Sequence, residues 1–266
     1  MRGIQRALVI TIGAFLFAGS EESLVAVKRL LAGQEFAQAL IAVEEVLARN
    51  PADLTALKLK ADIHYLLNDD GNAERTLLSG LRIDPEHVDL NYALGRIYSQ
   101  QTRYDAAIQQ FEKVLRIQPG SYKAHDNLGL CYEHLNQPER AIRSYSKAIE
   151  LVHKDAASYD WPYANLANLL LNQGEYKQAF NLAAEAAQKN PQSARNYYLT
   201  GKALVRLEQG DKSLRWLKRS IELDPEYPEP HYLLGQVLRK TGRVEEADQE
   251  FARFKELRAK APARLR

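Results

Sequence analysis

Residues able to carry chemistry are few in this sequence, and their spacing decides what they could do. Six histidines (His64, His87, His125, His134, His153 and His231) are scattered along 266 residues. None belongs to an H-E-x-x-H pattern, which would set two imidazoles on one helical face around zinc. Neither G-x-G-x-x-G nor G-x-x-x-x-G-K-[ST] occurs, so no glycine-rich loop cradles a nucleotide phosphate. The single cysteine, Cys131, can form no internal disulfide and no cysteine-based zinc site. It shares a column with Ile63, Ile97, Leu169, Ala203 and Val237, and so reads as a buried small hydrophobe, not a nucleophile. The run Asn68 to Asn72 (NDDGN) offers oxygen donors to calcium, but it lacks the full ligand spacing and the closing bidentate Glu. It falls where other repeats turn between helices, and is read as a turn. No catalytic residue, metal, cofactor or small-molecule substrate is expected.

What the sequence does carry is a period, which must be sought before any local motif. Small residues recur at Ala61, Gly95, Gly129, Ala167, Gly201 and Gly235, with steps of 34 residues and one of 38. A second column runs Ala39, Ala73, Ala107, Ala141, Ala179, Ser213, Ala247, and a third Pro51, Pro85, Pro119, His153, Pro191, Pro225. All three shift together, placing a four-residue insertion within residues 154–160. In one unit, Asn91, Leu94, Gly95 and Tyr98 share a helical face, as do Ala107, Ile108, Phe111, Val114 and Leu115. Thr102 and Arg103 mark the turn between, and Pro119 stops the second helix. Helices of about three turns are marginal alone in water, so stability must come from stacking pair on pair. The column pair Gly95 and Ala107 lets the two helices of a pair approach closely.

These residues carry a family resemblance. Leu94, Gly95, Tyr98, Tyr104, Ala107, Phe111 and Pro119 sit where the signature residues of the tetratricopeptide repeat sit. Repeat four matches through Leu128, Gly129, Tyr132, Ala141, Tyr145 and Ala148, and repeats five and seven match comparably. Val27, the pair Lys60 and His64, and the pair Ser213 and Ser220 depart from the pattern. The resemblance implies an all-α, right-handed superhelical solenoid of antiparallel helix pairs, about seven repeats over residues 21–260, whose role is to bind another protein or peptide. Phe254 stands where earlier repeats have Ala148, Ala186 and Ser220. It either finishes the last helix or offers an apolar end to a partner or a second copy of the chain.

In arrays that this chain resembles, the first helices of the pairs line the concave surface that holds the ligand. Here that face offers Tyr92 and Arg96, then Asn127, then Trp161, Asn165, Asn168 and Asn172. Repeat six adds Arg195, Tyr198, Lys202 and Arg206, and repeat seven adds Tyr232, Gln236 and Arg239. Rings with polar tips suit a binding surface, asparagines can donate to and accept from a peptide backbone, and cations gather in repeats six and seven. An extended, acidic or C-terminal partner segment on repeats five to seven is expected; an ordinary solvated Lys/Arg face is the alternative. The carboxylate-clamp subtype is not expected, because Leu199, Glu229 and Leu233 occupy places it needs.

Charge and termini bound the rest. Lys plus Arg is 36 against Asp plus Glu 34, a balance that argues against nucleic acid as the partner. Arg2 and Arg6 precede the uncharged run Ala7 to Ala18, and Gly19 and Ser20 follow it. Basic, apolar, then small is the pattern of a secretory signal peptide over residues 1–20, cleaved near Ser20. The run is shorter than the roughly 20 apolar residues of a membrane span; an uncleaved anchor is the alternative. Export to the periplasm or cell exterior is therefore expected, with a basic tail over residues 261–266. A polysaccharide or surface polymer is the second ligand class, suggested by Trp161 and the groove tyrosines.

Overall fold

The computed structural model describes residues 20–155 and 158–260. The chain divides into two compact units, Met1–Ala124 and His125–Arg266. The expected leader and basic tail, apart from Ser20, lie outside the described residues.

In the first unit three helix pairs follow one another: α1 (Ser20–Ala32) with α2 (Phe36–Arg49), α3 (Leu54–Leu66) with α4 (Asp70–Ile83), and α5 (Val88–Gln100) with α6 (Tyr104–Ile117). Each helix packs on its own partner, and each second helix on the first helix of the next pair; α1 also touches α3, and α3 touches α5. Helix α7 (Tyr122–His134) begins at the end of this unit and continues into the second, where it precedes α8 (Pro138–Asp155). Three further pairs complete the second unit: α9 (Trp161–Gln173) with α10 (Tyr176–Lys189), α11 (Ala194–Arg206) with α12 (Gly210–Leu223), and α13 (Pro228–Lys240) with α14 (Val244–Lys260). The pairing rule is the same, with α9 touching α11 and α11 touching α13. The described residues are thus helices in tandem pairs, as the period predicts.

The small-residue column explains the close approach. A Cβ on Gly95 would lie 2.7 Å from the Phe111 ring, and one on Gly129 would lie 2.5 Å from Cδ1 of Tyr145. The glycine of the first helix is the socket into which the large residue of the second inserts. Phe111 and Tyr145 are fully buried there. Apolar contact runs from pair to pair at the start of the first unit and at the end of the second. Val27, Val43 and Ile63 belong to one cluster in the first, and Leu217, Leu234 and Leu238 to one in the second.

The turns inside the pairs share one backbone solution. Gln34, Asn68, Thr102, Asn136, Gly174, Glu208 and Gly242, one per pair, all have φ between 55° and 86°. Left-handed backbone is cheap for glycine and costs an ordinary residue roughly 1–2 kcal/mol, least for Asn and most for a β-branched residue such as Thr102. The acidic run of repeat two is such a turn. Asn68 takes the left-handed conformation, and the Asp69 carboxylate accepts from the Asn72 amide at 3.1 Å, capping α4. Cys131 is fully buried, in keeping with its column.

Candidate functional site

The last two pairs of the second unit hold a cavity lined by several of the expected residues, which makes it the candidate site. From α11, the residues Tyr198, Lys202 and Arg206 point to one face at i, i+4 and i+8, because a helix brings every fourth residue nearly into line. From α13, Glu229, Tyr232 and Gln236 share a face at i, i+3 and i+7. With Val205 and Leu233 beneath them, these side chains enclose a cavity of about 470 Å³. Its remaining wall comes from the last helix, through Phe254 and Arg258. A second, more open cavity of about 920 Å³ adjoins it along α13 and α14. Tyr232, Gln236, Arg239, Phe251 and Phe254 all line this larger hollow.

The electrostatics are uneven. Among the described residues Lys202 and Arg206 have no carboxylate within ion-pair distance, and the Lys202 ammonium stands 5.9 Å from the centre of the Tyr198 ring. Burial, and then the Arg206 charge, push the Lys202 ammonium below its usual pKa. Both effects favour an anion at that place. Burial, then the Glu229 charge, push the Tyr198 phenol up to about 12, so it stays a neutral donor at all working pH. Arg258 reaches Glu229 at 3.9 Å, the outer limit of an ion pair between two exposed side chains. Such a pair is worth little. The cavity therefore has three cations against one acid, over a floor of aromatic and aliphatic carbon. Arg239 is paired with Asp248 and lies over the Phe251 ring.

Not every expected residue reaches this site. Tyr92 and Arg96 belong to the first unit, where Tyr92 packs 5.8 Å from Phe111 and Arg96 lies over the Tyr65 ring, 3.3 Å from its hydroxyl. Asn127 and Asn168 are half-buried. Asn172 is exposed and lines a separate 510 Å³ hollow with Glu133 and His134. Trp161 is 54% exposed, with the Arg195 guanidinium 5.6 Å from its ring.

Asn165 corrects the expectation. It is 3% exposed and cannot meet a ligand. Its amide nitrogen donates to Asp126 Oδ1 at 3.0 Å, and its carbonyl accepts from Arg195 at 2.9 Å. Arg195 is accordingly held inward by one of its nitrogens. Asp126, also 3% exposed, accepts a second bond from the Tyr159 hydroxyl at 2.8 Å. Burial raises the Asp126 carboxyl to about 6, against the lowering by the two hydrogen bonds and Arg195. Beside it, Asp160 accepts from Asn196 at 2.6 Å and Asn190 at 3.4 Å. This buried polar cluster ties α7, α9 and α11 to residues 159–160, at the end of the inserted connector. Its work is structural.

Val205, Leu233 and Arg258 line the cavity without having been expected there, and Phe254, which the sequence offered either as the finish of the last helix or as an apolar end for a partner, lines it too. Phe254 had a signal, since it breaks a column of small residues that are fully buried at Ala148, Ala186 and Ser220. At Gly80 of that column, an added Cβ would lie 2.6 Å from Leu90 of the next pair. A phenyl group cannot take such a place. Phe254 packs instead against Tyr232, ring centroids 5.0 Å apart.

Tandem helix pairs, four of them locked by a ring or leucine against a glycine (Gly95, Gly129, Gly201 and Gly235), define a helix-pair repeat protein. Family models described as tetratricopeptide repeat match residues 24–88, 92–159, 163–190 and 228–260, and one described as TPR repeat matches 201–242; the chain belongs to the tetratricopeptide repeat family. Protein O-mannosyl-transferase TMTC3 of Homo sapiens is 27% identical over 169 residues, which are 59% of this chain and 18% of that protein. The match thus spans less than a fifth of that relative. A tetratricopeptide repeat protein from Parabacteroides merdae superposes with TM-score 0.68 at 14% identity, over 92% of this chain and 95% of that one. PilW, titled a widely conserved type IV pilus biogenesis factor, superposes with TM-score 0.70 at 19% identity, over 82% of this chain and 98% of its own. At these identities the likeness to the solved structures is one of fold.

Proposed function

We propose that this chain is an exported, non-catalytic interaction scaffold that holds an extended, acidic segment of a partner protein on the first helices of repeats six and seven. One observation carries the reading. Lys202 and Arg206 stand together at a partly buried cavity without an acidic partner among the described residues. Two such cations repel each other, and the half-buried Lys202 is poorly hydrated; a carboxylate from a ligand relieves both costs. Export rests on the basic, apolar and small pattern of residues 1–20. A place in cell-envelope assembly or secretion is in keeping with that pattern and with the likeness of fold to a pilus biogenesis factor. The test is a pull-down from envelope fractions with the wild type and with Lys202→Glu plus Arg206→Glu. The wild type is expected to retain a partner that the variant loses at equal folded content; equal recovery by both refutes the groove. A second reading, a polysaccharide or surface polymer as ligand, is favoured by the exposed Trp161. Retention on immobilised polymer, abolished by Trp161→Ala and indifferent to the charge reversal, would select it.

A further inference from the structure

We infer that the 470 Å³ cavity recognises a peptide segment carrying an aromatic side chain beside acidic ones, and that Phe254 and Arg258 set this preference. The inference rests on the reading just given and names the chemistry of the segment. Its grounds lie in how unlike the two layers of the cavity are. The floor is aromatic, with Tyr198, Tyr232 and Phe254 all opening to the same space. Tyr232 is 44% exposed although its ring packs on Phe254, so a large apolar face meets water there. Above it stand Lys202, Arg206 and Arg258.

An acidic segment without a ring leaves the floor wet, and an apolar segment without acids leaves Lys202 and Arg206 uncompensated. Only a segment with both satisfies the two layers at once. The cavity volume lies within the range of pockets that take a ligand of drug size, which is ample for one aromatic side chain. Rings entering it meet others at edge or offset geometry, as the tilted Tyr232 and Phe254 rings already do.

The last helix makes this pocket differ from the rest of the array. In the preceding pairs the Phe254 column holds Val46, Gly80, Val114, Ala148, Ala186 and Ser220, all buried and all smaller than a phenyl group. In α14 that column holds a ring turned toward the groove, and Arg258 follows one turn later. Arg258 is loosely engaged by Glu229 at 3.9 Å. An incoming carboxylate competes with Glu229 for it and brings a third cation to bear on the ligand. Glu229 is thus a weak competitor for Arg258 that an acidic segment must displace.

Fluorescence anisotropy on the full chain tests this with three synthetic ten-residue probes. One carries a Phe flanked by Asp and Glu in a Ser/Gly background, one has that Phe replaced by Ala, and one has the acids replaced by Gln and Asn. The first is expected to bind at least about tenfold more tightly than either of the others. Phe254→Ala, which restores the column's usual small residue, is expected to erase the advantage of the Phe probe over the Ala probe and to keep the preference for acids. Glu229→Gln is expected to tighten the binding of the acidic probes. If the Phe and Ala acidic probes bind the wild type equally, and Lys202→Glu plus Arg206→Glu abolishes both, the aromatic preference is overturned while the acidic groove stands. If neither acidic probe binds, or the acid-free probe binds as well as the first, both fail.

Discussion

Replacing Asp126 with asparagine should stabilise the protein at pH 7.5 by about 3 kcal/mol and by only about 1 kcal/mol at pH 4.5. The buried carboxyl titrates near 6, above its ordinary 3.8, so the native state resists its ionisation. In the window between 3.8 and 6 the folded chain binds more protons at this site than the unfolded chain. The stability this group contributes therefore falls as pH rises through that window, and the full cost is in place above it. Asparagine removes the charge and retains an oxygen for the Asn165 amide; its own amide can donate to the Tyr159 hydroxyl, which turns to accept. Urea melts of wild type and variant at the two pH values check this. A stability difference that does not change with pH contradicts a strained ionised carboxylate at this position.

The second large effect concerns the glycine socket of repeat four. Tyr145 is fully buried, and its hydroxyl donates to Glu133 at 2.9 Å, so the ring has little freedom to move aside. Tyr145→Ala is expected to cost roughly 3–5 kcal/mol, the range for truncating a large buried aromatic. Gly129→Ala in the intact protein drives a methyl group into that ring, where overpacking costs about 1–3 kcal/mol against about 1 kcal/mol gained in helix propensity. In the Tyr145→Ala background the clash is gone and only the gain remains. Gly129→Ala should therefore change sign, from destabilising alone to stabilising by up to about 1 kcal/mol in the double variant. Additive effects would mean that the glycine column serves something other than socket packing.

The fold was legible because periodicity records packing. A small residue recurring at steps of 34, with one of 38, is a contact repeated in space, and the structure places Gly95 on Phe111 and Gly129 on Tyr145. The turns were legible for the same reason, down to Asn68 in the acidic run. The site was legible only in part. Tyr198, Lys202, Arg206, Tyr232 and Gln236 share one cavity because helical spacing alone aligns them. Asn165 was misplaced because its type suggested a ligand contact, although its column mates Leu59 and Leu199 are buried. The inward pull on it comes from Asp126 and Arg195, which lie 39 and 30 residues away and leave no local trace. Arg258 escaped because a second-helix residue reaches the groove only where no further pair packs against α14 among the described residues. That is a property of position in the array, which the repeat pattern itself does not encode.

A partner segment seated in the groove between α11 and α13 would lie within crosslinking reach of both cavities. A photo-crosslinking residue at Gln236, which lines both cavities, tests that seating most directly in cells that carry the full chain. The matched control is the same residue at Lys218, exposed on the second helix of repeat six. A specific adduct is expected at position 236 that disappears when Lys202→Glu and Arg206→Glu are added, and none at position 218. An adduct at 236 that survives the charge reversal, or one confined to 218, would contradict that seating.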